Sequence, residues 1–208
     1  MARCWYYDVS ELEDPALFAK GMESLPWQKR KDAIMRYRMQ PDRLLGLGAG
    51  LLCVHALQHE GVDDLTLDYG ERDKPHLRHY PHVHFNLSHS GTIAICAVSS
   101  HPVGADVELM HAADAGIARI CFTEQEILWM NSQDDPARAF TRLWTRKESY
   151  IKRLGTGFYT EPKSFCALPG RESTADVVYS EHEVNEHLMC VCTRTNEQTE
   201  FLRWEGFA

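Results

Sequence analysis

Two stretches of the chain repeat one layout, and the repeat limits the possible folds more than any other feature. From Leu25–Pro26 to Leu57, a short helical segment leads through a turn with a polar cap into a long apolar helix. From Phe122–Thr123 to Leu154 the same order returns, roughly 97 residues later. Strand-like segments follow each unit. A chain written this way is expected to be α+β. The expected form is a pseudo-dimer of two similar α+β halves, each a long helix packed on a small antiparallel sheet. The halves are expected at 1–102 and 103–208, with a cleft between them. A length of 208 residues suits one large domain or two small ones.

Periodicity gives the elements. Arg43–His59 predicts a helix with Asp42 as its N-cap and Gly61 as its stop, striped by Leu44, Leu47, Leu51 and Val54. Gly46, Gly48 and Gly50 inside it each cost about 1 kcal/mol against alanine. They suggest that another backbone comes close and that this helix meets its counterpart at the centre. Pro15–Met22, the basic Lys29–Arg38 and Ala112–Cys121 also predict helices. Arg138–Leu154 predicts a long helix ended by Gly155, and Thr123 with Glu126 has capping-box spacing. Strands are predicted at Cys4–Val9, Val62–Tyr69, Val83–Leu87, Thr92–Ser99 and Val103–Leu109. Phe165–Leu168, Asp176–Ser180, Leu188–Thr193 and Glu200–Trp204 read the same way. His101–Pro102 between two of these predicts a hairpin, and Asp73–Lys74–Pro75 a turn.

Composition narrows the function classes. The apolar fraction of 44% and charged fraction of 25% are ordinary for a globular chain. The net charge is −8, from 22 basic and 30 acidic residues. No nucleic-acid partner is expected, because such binding needs a basic footprint. The longest apolar run, Leu44–Val54, is too short for a bilayer, which takes about 20 residues. No membrane partner is expected. Met1–Asp8 holds no apolar signal core, and seven cysteines are an odd number without a C-x-x-C pair. These predict reduced thiols and a cytoplasmic protein. Among eleven histidines, His76, His79, His82, His84 and His89 crowd one stretch. A zinc site there is an alternative, but no thiol stands nearby at zinc spacing.

Two segments carry the chemistry. In Gly104–Ala105–Asp106–Val107–Glu108, strand alternation points Asp106 and Glu108 one way and Val107 into the core. Two such carboxylates repel unless a cation or proton sits between them. A solvated edge strand explains the same spacing. In Trp144–Thr145–Arg146–Lys147–Glu148–Ser149–Tyr150–Ile151–Lys152, Trp144, Glu148 and Lys152 share one helix face. A plain surface ion pair explains Glu148 and Lys152 equally well. Taken together, three carboxylates and a lysine suit metal-assisted phosphoryl transfer.

Phe85–Asn86–Leu87–Ser88–His89–Ser90, Val103–Glu108 and Trp144–Lys152, in that order, resemble the three signature blocks of the 4′-phosphopantetheinyl transferases. Their spacing is similar to the larger, surfactin-synthetase-activating type, a pseudo-dimer. The resemblance extends to Pro26–Leu52, with its Asp42–Arg43–Leu44–Leu45 helix start, to Lys74–Pro75 and to Phe122–Thr123–Glu124. It implies transfer of the phosphopantetheine arm of coenzyme A to a serine of an apo acyl, peptidyl or aryl carrier protein, releasing 3′,5′-ADP. The implied metal is Mg²⁺, with Mn²⁺ as a substitute, on Asp106, Glu108 and Glu148. Glu148 is the implied general base or water-orienter, and Lys152 the partner of the pyrophosphate. Ser88 and His89 would lie near coenzyme A phosphate, and Arg43, Lys74 and Pro75 beside its nucleotide half. One or more of Lys29, Arg30 and Lys31 would meet the 3′-phosphate. A monomer is expected, because a pseudo-dimer completes its own cleft. The alternative is a non-catalytic homologue that binds coenzyme A or a carrier protein.

The charge is unevenly spread. Lys29–Arg43 has six basic and two acidic residues, and Arg142–Arg153 five and one, a net +4 each. Both are expected to border the cleft and to steer an anionic substrate and an acidic carrier towards it.

Overall fold

The computed structural model describes residues 1–70, 74–110, 113–156, 159–170 and 176–206. Strand β1 (Ala2–Asp8) runs through a 3-10 turn at Val9–Glu13 into α1 (Pro15–Ser24). Helices α2 (Gln28–Arg36) and α3 (Gln40–His59) form the first helical unit. Strands β2 (Leu67–Tyr69), β3 (Pro75–Leu77), β4 (His84–Ser90), β5 (Ile93–Ser99) and β6 (Gly104–Leu109) follow. Then come α4 (Ala115–Cys121), the second helical unit α5 (Glu124–Asn131) and α6 (Pro136–Leu154), and β7 (Val177–Val184), β8 (His187–Arg194) and β9 (Thr199–Arg203). The fold is α+β. The repeated layout is present: a 9-residue α2 before a 20-residue α3, and an 8-residue α5 before a 19-residue α6.

Two sheets carry these helices. One has the order β4-β5-β1-β9 and the other β6-β8-β7, with β2-β3 as a small separate ribbon. All pairs are antiparallel except β1 with β9. Strand β5 is buried along its whole length, because its two faces serve two cores. Ala94, Cys96 and Val98 pack with Leu47, Leu51 and Leu52 of α3. Ile93, Ile95 and Ala97 pack with Ala105 and Val107 of β6 and Met189 and Val191 of β8. The sheets therefore meet face to face, with α3 outside one and α6 against β6 and β8 of the other.

Several helix ends have a visible local cause. Thr123 and Glu126 form the expected capping box on α5. Asp135 caps α6, and Gly155 ends it in the left-handed region at φ 68°. Helix α3 begins three residues earlier than its expected start at Arg43. Asp42 is not its N-cap but lies in the first turn, where a carboxylate meets the positive end of the helix dipole.

Other expectations need correction. Strands β5 and β6 are not a hairpin, since β5 has β1 and β4 on its two edges and β6 pairs with β8. The three glycines of α3 admit side chains rather than a backbone. A Cβ on Gly48 would lie 2.3 Å from Val9, and one on Gly50 2.7 Å from Arg30. Helix α3 packs on β1, β4, β5, α1 and α2 rather than on α6. Only Leu67–Tyr69 of the predicted Val62–Tyr69 strand is a strand, and Phe165–Leu168 is none. Asp73 of the expected turn and Ala112 of the expected helix lie outside the described residues. Among those described, no helix is long and apolar enough to cross a membrane. All seven thiols are unbridged.

Candidate active site

The site is built where β6 lies on α6. Gly104 makes the contact possible. A Cβ there would stand 1.9 Å from the Ser149 carbonyl oxygen and 2.4 Å from the Arg153 nitrogen, so strand backbone rests directly on helix backbone. Beyond Gly104 the strand alternates as expected. Val107 enters the core between the sheets, while Asp106 and Glu108 turn towards α6. Trp144, Glu148 and Lys152 meet them from successive turns of that helix.

The contacts are specific. Lys152 Nζ stands 2.6 Å from Asp106 Oδ1 and donates to Ser88 Oγ at 2.9 Å. Ser88 Oγ in turn donates to the same Asp106 oxygen at 2.8 Å. Glu108 accepts from Ser90 Oγ at 2.8 Å through Oε2 and from Trp144 Nε1 at 3.2 Å through Oε1. Asp106 is 3% exposed, and burial pushes its carboxyl above the usual range against the pull of Lys152. Glu148 is also raised, first by burial and then by the charges of Asp106 and Glu108, with Lys152 opposing. The three carboxylates thus share one field, and Lys152 is the cation beside them.

A divalent cation fits this donor set. Asp106 Oδ2 is buried without a hydrogen-bond partner, a cost that a hard cation would remove. The mutual repulsion of the carboxyls points the same way. Among the described residues, no three His, Cys, Asp or Glu side chains already stand as a ligand cage. That applies equally to the histidines of residues 76–89, and the zinc alternative gains no gathered ligands. His76, His79 and His82 are exposed.

The coenzyme-side residues surround this centre unevenly. His89 is open to solvent. Its pKa is lowered by its protein surroundings, then by Arg30 and Lys152. Lys74 Nζ caps the Lys152 carbonyl at 2.7 Å, and burial lowers its pKa. With Pro75, His84 and Arg153 it lines a cleft of about 440 Å³. A second hollow of about 230 Å³ is lined by Trp27, Arg30, Tyr69, Pro75, Phe85 and Leu87, among others. Arg43 Nε donates to the Tyr37 carbonyl. Lys31 is turned away to the Glu23 carbonyl at 3.2 Å, so Arg30 rather than Lys31 is the α2 cation whose charge reaches His89.

Sequence reasoning missed the support behind α6. Lys147 and Glu126 form a buried pair at 3.0 Å, both 0% exposed. Lys147 also donates to the Pro162 and Phe165 carbonyls, and Glu126 accepts from the Ala167 and Thr123 amides. Burial lowers the Lys147 pKa while Glu126 resists the shift. Glu126 was legible only as a cap. The expectation that Arg142–Arg153 forms a basic border also needs correction. Arg142 and Arg146 share the single carboxylate of Glu181, and Lys147 is paired with Glu126, so part of that charge is offset within the fold.

Residues 102–197 match the model of the 4′-phosphopantetheinyl transferase superfamily. That segment contains Asp106, Glu108, Glu148 and Lys152. The 4′-phosphopantetheinyl transferase gsp of Aneurinibacillus migulanus is 41% identical over 103 residues, 49% of this chain and 43% of that protein. The 4′-phosphopantetheinyl transferase Sfp of Bacillus subtilis (strain 168) is 38% identical over 104 residues, 49% of this chain and 46% of that one. The 4′-phosphopantetheinyl transferase psf-1 of Bacillus pumilus is 30% identical over 181 residues, 80% of this chain and 78% of the relative. The chain belongs to the 4′-phosphopantetheinyl transferase superfamily. It spans less than half the length of gsp and of Sfp in these matches. Within the superfamily it is of the Sfp type, by its likeness to gsp, Sfp and psf-1.

Proposed function

We propose that the chain is a Mg²⁺-dependent 4′-phosphopantetheinyl transferase. It moves the phosphopantetheine arm of coenzyme A to a serine of an apo carrier protein and releases 3′,5′-ADP. One observation carries this reading. Asp106, Glu108, Glu148 and Lys152 converge from β6 and α6, with Asp106 Oδ2 buried and unpartnered.

In the reaction the serine oxygen bonds to the arm-bearing phosphorus, and the bond from that phosphorus to the bridging oxygen breaks. The electron pair leaves on 3′,5′-ADP. The serine proton passes to Glu148, or to a water that Glu148 orients. Glu148 lies among the carboxyls of Asp106 and Glu108, on the helix face that also carries Lys152. Asp106, Glu108 and Glu148 hold the cation. When bound, Mg²⁺ would neutralise charge on the pyrophosphate and make the 5′-phosphate of 3′,5′-ADP a better leaving group. Lys152, beside Asp106, would neutralise the leaving phosphate. His89 would meet a phosphate, and the hollow between Arg30, whose guanidinium donates to the Gly46 carbonyl, Tyr69, Pro75 and Phe85 suits the nucleotide half. Ser88 orders Asp106 and Lys152 from the same side.

The halves divide at residues 102 and 103, with β9 returning to pair with β1 of the first half. One chain supplies every group named, so a monomer suffices. Unbridged thiols suit the cytoplasm. The test is incubation with coenzyme A and a panel of apo carrier proteins, with Mg²⁺ or with excess chelator, read by intact mass. The reading predicts a phosphopantetheine mass gain with Mg²⁺ and none with chelator. Absence of the gain on every carrier sinks it.

A further inference from the structure

Strands β4 and β6 are each the edge of a different sheet, yet they lie side by side. Among the described residues no backbone ladder joins them. Side chains join them instead. The Ala105 amide donates to Asn86 Oδ1 at 2.9 Å. Ser88 donates to Asp106. Ser90 Oγ accepts from the Leu109 amide at 3.2 Å and donates to Glu108 Oε2 at 2.8 Å.

The pattern follows strand geometry. Asn86, Ser88 and Ser90 alternate along β4 and share one face. Phe85 and Leu87 point the other way, into the core under α3. Ala105 and Leu109 have the same parity on β6, so their amides leave the same, unpaired edge. An unpaired strand edge leaves its donors without partners. Asn86 and Ser90 satisfy two of them.

We propose that Asn86 and Ser90 are positioning residues. They dock β6 on β4 and orient Glu108 as a cation ligand. The proposal rests on the reading of Asp106, Glu108 and Glu148 as metal-holding groups. Its chemical logic is simple. The Ser90 hydroxyl accepts one bond, from Leu109, so its proton is committed to Glu108. Trp144 fixes the other carboxylate oxygen. Each oxygen keeps a lone pair for a cation, and neither can rotate away. Partners of this kind typically change metal affinity or activity by about 10–100-fold when removed.

The test titrates Mn²⁺ into the whole protein with coenzyme A bound, reading free Mn²⁺ by its paramagnetic resonance signal. Ser90→Ala is expected to weaken Mn²⁺ binding by about ten-fold or more. Coenzyme A affinity without metal should change by less than about two-fold, since Ser90 faces Glu108 and not the nucleotide hollow. Ser90→Thr, which keeps the hydroxyl, should restore Mn²⁺ affinity. Asn86→Ala should weaken Mn²⁺ in the same direction through the docking of β6. Ser90→Cys, a near-isostere with a weak donor, gives the same comparison if the alanine variant does not melt cooperatively. Wild-type Mn²⁺ affinity in a folded Ser90→Ala or Ser90→Cys protein overturns the proposal, as does a wild-type protein that binds no Mn²⁺. A wild type that binds Mn²⁺ but modifies no carrier sinks the transferase reading and leaves this comparison intact.

Discussion

At Glu148 stability and chemistry pull against each other. Burial and the neighbouring carboxyls of Asp106 and Glu108 hold its pKa above the ordinary value. A carboxyl raised on folding stabilises the fold below its unfolded pKa, and that contribution is lost as pH rises through the folded value. At neutral pH, without metal, ionised Glu148 is therefore a cost. Glu148→Gln should raise the metal-free thermal midpoint at pH 7.5. In a chain of this size each 1 kcal/mol relieved raises the midpoint by about 2–4 °C. The gain should shrink as pH falls through the raised value, where the wild-type side chain takes up its proton. Added Mg²⁺ should stabilise the wild type more than the variant. A variant that melts below wild type at pH 7.5 contradicts this. At this scale much was legible in advance. Strand alternation gave the shared direction of Asp106 and Glu108, and helical spacing the common face of Trp144, Glu148 and Lys152. The spacing did not reveal Ser88 and Ser90 as their partners, because those bonds join two sheets across a distance no local pattern encodes.

At the scale of elements, α6 is held from behind as firmly as it is used in front. Lys147 ties it to Glu126 and to the carbonyls of Pro162 and Phe165. Removing one member of such a buried pair leaves the other charge uncompensated, at about 3–5 kcal/mol. Lys147→Met should lower the urea midpoint accordingly, and adding Glu126→Gln should recover part of the loss. A Lys147→Met protein as stable as wild type would show that the pair is dispensable. The same bonds explain why Phe165–Leu168 is not a strand. Its Phe165 and Ala167 carbonyls are taken by Lys147 and Arg146, and the Ala167 amide by Glu126. Little is left for a ladder. The hairpin expected at His101–Pro102 failed for a similar reason, since both edges of β5 are filled by β1 and β4. Turn chemistry reports where a chain reverses and not which strand it then meets. The α3 glycines announced a close approach but not its source, which is the side chains of Val9, Tyr37, Leu25 and Arg30.

For the whole molecule, the net charge of −8 conceals a basic face. Steering would rest on Lys29–Arg43, where Lys29, Arg36 and Arg38 are exposed and the charge of Arg30 is felt at His89. In the second basic segment Lys152 pairs with Asp106, and Arg153 lines the cleft beside Lys74. Raising salt from about 0.1 M to about 1 M shortens the screening length from about 10 Å to about 3 Å. The KM for coenzyme A should then rise steeply while kcat at saturation changes less. A KM indifferent to salt contradicts electrostatic capture. The α+β class and the doubled helical unit were readable from periodicity, whereas the return of β9 to β1 was not, because a parallel partner far along the chain leaves no local mark. The seam between β6 and α6 is the proposed phosphopantetheine-transfer centre. Its most direct test is the intact mass of an apo carrier protein after incubation with coenzyme A, Mg²⁺ and either wild type or Asp106→Ala. Wild type should give a full phosphopantetheine gain and a folded Asp106→Ala none, whereas equal gain with both proteins would show that transfer does not depend on this seam.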